Sequence, residues 1–179
     1  MSFAQRELST KAAATLLVLG VSAMPALAQA PSQLYNKTIQ INWSVTVVQD
    51  GGQVVPIAVS HTIYVSSSGR IFERGSRSGK RGQKQTDNAP GATRNAGGEA
   101  TGLRFSGNRL VGQTAFAQGA RQFVATFDSG FSSCTVAVTF GRDAGGIKRR
   151  GVDGQMHTIE KMTASGESCS IREGNPFGS

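Results

Sequence analysis

The sequence predicts an all-β domain. Its strands are expected to run antiparallel in a single meander, closed as an eight-stranded small barrel or, alternatively, packed as a β-sandwich. Three observations predict this. First, residues 38–48 alternate strictly: Ile39, Ile41, Trp43, Val45 and Val47 fall on one face, and Thr38, Gln40, Asn42, Ser44 and Thr46 on the other. A period of two over such a length marks a half-buried strand. Second, shorter alternating runs recur down the chain, separated by Asp50-Gly51-Gly52, Ser67-Ser68-Gly69, Gly107-Asn108 and Ser129-Gly130. These residue types turn a chain tightly. Third, helical period is scarce. Only residues 155–164 read as a short helix, and the same residues also read as a strand.

The elements follow in order. After the first strand and its Asp-Gly-Gly turn, a second runs from Ile57 to Ser66, with Pro56 at its start because proline cannot donate to a ladder. A short third covers Arg70 to Arg74. Residues 76–98 are rich in Gly, Ser, Lys, Arg and Asn and carry no large apolar side chain. Such a segment cannot bury apolar surface, so a long flexible loop is expected there. Strands resume at 101–106, 109–117 and 121–128, with Phe105, Phe123 and Phe127 on inward positions. Phe131 to Phe140 follows, with Cys134, Val136, Val138 and Phe140 on one face. A second flexible basic loop is expected over 141–154, and a polar tail after Ala164.

Residues 1–28 have a different character. Arg6 and Lys11 precede an apolar run of 13 residues, Ala12 to Met24, followed by Pro25 and Ala26-Leu27-Ala28. That order matches a signal peptide cut after Ala28. The run is shorter than the ~20 residues that span a bilayer as a helix. Residues 29–179 are then one exported β domain, periplasmic or extracellular, with no transmembrane anchor expected. In an oxidising compartment Cys134 and Cys169 are expected to pair.

The chain carries a formal net charge of +8, and the residues after 28 carry +7 of it. The charge is uneven. Arg70, Arg74, Arg77, Lys80, Arg81, Lys84 and Arg94 crowd one segment; Arg142, Lys148, Arg149 and Arg150 crowd another. Two basic clusters attract anionic partners: an envelope polymer, lipid headgroups or an acidic protein. Export makes nucleic acid the weakest of the anionic partners.

Catalytic signals are thin. No Gly-x-Ser-x-Gly elbow and no phosphate-binding loop is present, since Arg77 and Arg81 break the two nearest matches. The two histidines stand without acids at metal-site spacing, so no metal and no cofactor is expected. His61 lies on the apolar face of its strand and His157 on a surface strand. The leading expectation is a non-enzymatic exported binding module that presents the basic loops. A second is a small-ligand carrier whose barrel interior is lined by Trp43, His61, Phe105, Phe123 and Phe127. A third is an outer-membrane β-barrel.

Overall fold

The computed structural model describes residues 29–79, 82–85, 97–114, 121–140, 145–150 and 154–178. The expected leader lies outside them, as do Lys80, Arg81, Arg94 and Arg142. The described chain is antiparallel β structure with one 3-10 turn, Ser32–Leu34, and no α-helix. The strands are β1 (Lys37–Gln49), β2 (Gln53–Val65), β3 (Ile71–Gly79), β4 (Gly82–Gln85), β5 (Gly98–Glu99), β6 (Leu103–Ser106), β7 (Arg109–Thr114), β8 (Arg121–Phe127), β9 (Cys134–Phe140), β10 (Ile147–Arg150) and β11 (Met156–Glu173).

The all-β reading holds, with two differences in detail. There are eleven described strands where eight are expected, and they lie in two sheets, not one meander. The larger sheet has the order β10-β11-β1-β2-β3-β4, with β5 also on β3, and curls into a half-barrel. The smaller is β6-β7-β8-β9. The path is non-sequential because β11 returns from the far end of the chain to pair with β1, from Lys37↔Glu173 to Gln49↔Ile159.

β1 is central because it is apolar on one face and hydrogen-bonding on the other. Ile39, Ile41, Trp43, Val45 and Val47 are all buried, as the alternation predicts. On the opposite face Gln40 donates to Ser60 Oγ at 2.8 Å and to Asn42 Oδ1 at 3.1 Å, and accepts from Thr62 Oγ1 at 2.9 Å. Such cross-strand pairs fix register on the solvent side. β2 starts at Gln53, four residues before the expected Ile57. Pro56 sits opposite Thr46, where β3 has not yet joined, since β3 pairs with β2 only from Ala58 to Val65. The proline therefore lies on a locally open edge. The turn between β1 and β2 places Asp50, Gly51 and Gly52 at φ of 47°, 77° and 106°, a left-handed run that Asp and Gly tolerate.

Both expected loops are partly strand. Residues 76–79 continue β3, 82–85 form β4, and 147–150 form β10. Residues 156–164 and the first part of the expected tail, to Glu173, form one 18-residue strand, β11, without helix. These segments lack apolar alternation because they lie at sheet edges or have little to bury; backbone pairing with a neighbour defines them instead.

The two sheets pack face to face. Phe105, Leu110, Phe123, Ala125 and Phe127 from the smaller sheet join Ile39, Ile41, Trp43, Val59 and Ile63 from the larger in one buried cluster. A disulfide between Cys134 on β9 and Cys169 on β11, with Cα atoms 5.5 Å apart, ties the sheets together along one side.

Candidate functional site

The expected interior residues sit together, and they fill the interior. The Trp43 and His61 rings stack with centroids 5.2 Å apart and planes 9° from parallel. Phe123 lies against both, at 5.8 and 5.0 Å. Phe105 packs on Phe127 at 6.0 Å, and Phe127 on Phe131 at 5.4 Å. The five side chains expected to line a cavity are at most 5% exposed, and their partners are one another. Gly112 makes this possible. It pairs with Phe123 across β7 and β8, and a Cβ at Gly112 would overlap that ring.

A carboxylate enters this core. Glu73, on β3, is 5% exposed and its Oε1 lies 2.5 Å from Nδ1 of His61. Glu73 and His61 sit diagonally on adjacent strands, since Glu73 opposes Ile63 and His61 opposes Gly75. Two ring nitrogens, His61 Nε2 and Trp43 Nε1, are buried with no hydrogen-bond partner. Sequence reasoning misses Glu73, although its position two residues after Ile71 places it on the same side of β3.

The basic residues divide into two groups. Arg70 is exposed but engaged: it makes two hydrogen bonds to Glu99, at 2.8 and 3.3 Å, and covers the Phe72 ring at 5.4 Å. The hydrogen bonds and charge of each partner raise the Arg70 pKa and lower that of Glu99. Arg74 lies over Phe177 at 5.5 Å. Arg74 belongs to β3, and Arg70 stands just before it.

The second group collects at one end of the half-barrel. The end of β1, the Asp50–Gly52 turn, the start of β2, the end of β3 with β4, β10 and the start of β11 all lie at that rim, as the registers require. Arg77 on β3 and Arg149 on β10 face the concave side there, at positions opposite Val59 and His157. They are close enough to interact: burial lowers the pKa of both, and the charge of Arg149 lowers that of Arg77 further. Lys148 and Arg150 alternate with Arg149 and are exposed. Lys84 lies in β4 at the same rim. Two stretches about 70 residues apart in the chain thus form one basic rim.

Acidic groups at the rim serve its backbone. Asp50 Oδ1 accepts from the Thr158 N–H at 2.8 Å, and its other oxygen meets His157 Nδ1. Glu160 accepts from the Gly51 N–H at 2.5 Å. His157 therefore has a positioning partner that the sequence gives no reason to expect. The two large apolar side chains most exposed among the described residues are also here: Val54, 54% exposed, and Met156, 57% exposed.

A shallow groove of about 260 Å³ lies on the outer side of the half-barrel, lined by Asn42, Ser44, Ser60, Ser76 and Ser78 among others. Among the described residues no three His, Cys, Asp or Glu side chains come together as metal ligands. Comparison with protein-family models, with curated proteins and with solved structures gives no match.

Proposed function

We propose that the chain is an exported binding module that engages an anionic partner of the cell envelope through the basic rim. The observation that carries this reading is the gathering of Arg77, Lys148, Arg149 and Arg150 at one end of the half-barrel from opposite ends of the larger sheet. Charges of one sign gathered on one part of a surface raise the local potential there and attract anions. In the sequence, segment 75–86 also carries Lys80, Arg81 and Lys84 and no acidic residue. Export is supported by the leader pattern of residues 1–28 and by the disulfide, which an oxidising compartment maintains.

Neither alternative draws equal support. A carrier needs interior room, and Trp43, His61, Phe105, Phe123 and Phe127 occupy theirs with each other. A bilayer-spanning barrel presents an apolar outside, whereas the outer face of β1 and β2 presents Gln40, Asn42, Ser44 and Ser60.

The test is retention on an anionic polymer across a salt series. The wild-type chain is expected to elute later than a variant with Arg77→Gln, Lys148→Gln, Arg149→Gln and Arg150→Gln, and the gap should close as salt rises. Equal retention of the two at low salt overturns the proposal.

A further inference from the structure

We infer that the partner met by the rim is the surface of an anionic phospholipid bilayer, with Val54 and Met156 entering its headgroup region. The inference rests on the basic-rim reading and adds the apolar side chains to it. A soluble polyanion is bound by charge alone, and a rim built only for that purpose gains nothing from exposed aliphatic groups. A lipid surface offers both phosphate and hydrocarbon, and attachment scales with buried apolar area plus attraction to anionic lipid.

The geometry supplies both elements at one place. Val54 is the second residue of β2 and pairs with Val48. Met156 is the first residue of β11 and pairs with Arg150. Between them runs the Asp50–Gly52 turn, whose carboxylate is occupied by the Thr158 N–H and His157. Glu160 is likewise occupied by the Gly51 N–H. Among the described residues, Asp50 and Glu160 at this end are thus committed to backbone and imidazole, while Lys148 and Arg150 are exposed on the strand that pairs beside Met156. Surface aliphatics scattered singly are ordinary. Here the two most exposed large ones among the described residues share the end of the fold that gathers the cations.

The experiment uses the chain from residue 29 onward, which holds every described strand. Three probes are compared: vesicles of phosphatidylcholine, vesicles of phosphatidylcholine mixed with phosphatidylglycerol, and soluble polyphosphate. The wild-type chain should bind the mixed vesicles and polyphosphate, and bind phosphatidylcholine alone far less. Val54→Ser with Met156→Ser should weaken partitioning to mixed vesicles by about tenfold and leave polyphosphate binding unchanged. Met156→Trp should give a blue-shifted emission on mixed vesicles and none on polyphosphate; Trp43, 3% exposed, supplies a constant background. If the double serine variant binds mixed vesicles as well as wild type, or the emission of the Met156→Trp variant does not move, lipid entry is wrong and the polyanion reading stands. Equal binding to phosphatidylcholine alone overturns the requirement for anionic lipid. Binding to none of the three overturns both readings.

Discussion

Glu73 Oε1 lies 2.5 Å from His61 Nδ1 where the half-barrel meets the smaller sheet, with Phe123 of β8 against the imidazole. Both side chains are buried, His61 fully and Glu73 nearly so. A buried acid–imidazole pair contributes little over a well-packed apolar pair, but removing one partner strands the other. Glu73→Ala should therefore cost about 3–5 kcal/mol of unfolding free energy, read from urea unfolding followed by Trp43 emission. Replacing both, with His61→Phe and Glu73→Leu, should recover most of that loss. A Glu73→Ala variant as stable as wild type would show that the pair is not held as a unit.

Gly112 and Phe123 make a second coupled pair. The ring occupies the space that a Cβ at position 112 would take, so Gly112→Ala is an overpacking change, with an expected cost of about 1–3 kcal/mol. The cost should fall when Phe123→Leu accompanies it, because the smaller side chain vacates the clash. Additive losses in the two single variants and the double would mean that the methyl is accommodated elsewhere. Because Phe123 also touches Trp43 and His61, a displaced ring should shift the near-ultraviolet circular dichroism of Trp43.

How much of this was legible depends on what each strand buries. β1 was readable residue by residue because from Thr38 to Val47 one face is apolar and the other polar. β10 was not: Ile147 is its lone apolar residue, and Lys148, Arg149 and Arg150 look like a loop until β11 is alongside. In β11 the stretch Ser165, Gly166, Glu167 and Ser168 has no apolar period. Its strand character comes from pairing with β1, including a register shift between Asn42 and Ser44, and sequence carries little trace of a partner more than 120 residues away. For the same reason the basic rim was visible only as two separate clusters. Charge density could be counted, but the curl that unites Arg77 with Arg149 is a property of the sheet.

The disulfide joins Cys134 to Cys169 across a separation of 35 residues. A crosslink over a loop of that length is worth about 3–4 kcal/mol in the chain-entropy model. Cys134→Ser with Cys169→Ser should lower the thermal midpoint, and adding a reductant should do the same to wild type but not to the variant. The bond lies along the side where β9 faces β11, away from the rim. Polyanion retention of the reduced protein, measured while it is still folded, should therefore be unchanged. Retention lost together with the bond would tie the rim's geometry to the way the sheets are held.

Asp128 caps the turn between β8 and β9, and this fixes its acid behaviour. Its carboxylate accepts from the Ser132 hydroxyl at 2.5 Å, from the Ser132 N–H at 2.7 Å and from the Ser133 N–H at 3.3 Å. Those bonds are stronger to the ionised form, and the Ser132 hydroxyl foremost holds the pKa down at about 2. A carboxylate depressed on folding lends stability above its unfolded pKa and loses it as pH falls through the folded one. The stability of wild type relative to Asp128→Asn should thus be constant at neutral pH. It should begin to shrink near about pH 4 and vanish below about pH 2. The turn also needs Phe131 at φ 54°, a left-handed conformation costly for an aromatic residue, with its ring packed on Phe127 at 5.4 Å. When the carboxylate is protonated that conformation loses its bracing on one side. Amide exchange at Ser132 and Ser133 should accelerate over the same pH interval, after correction for intrinsic rates. A flat difference in stability from about pH 5 to about pH 2 would show that the cap is not formed in solution.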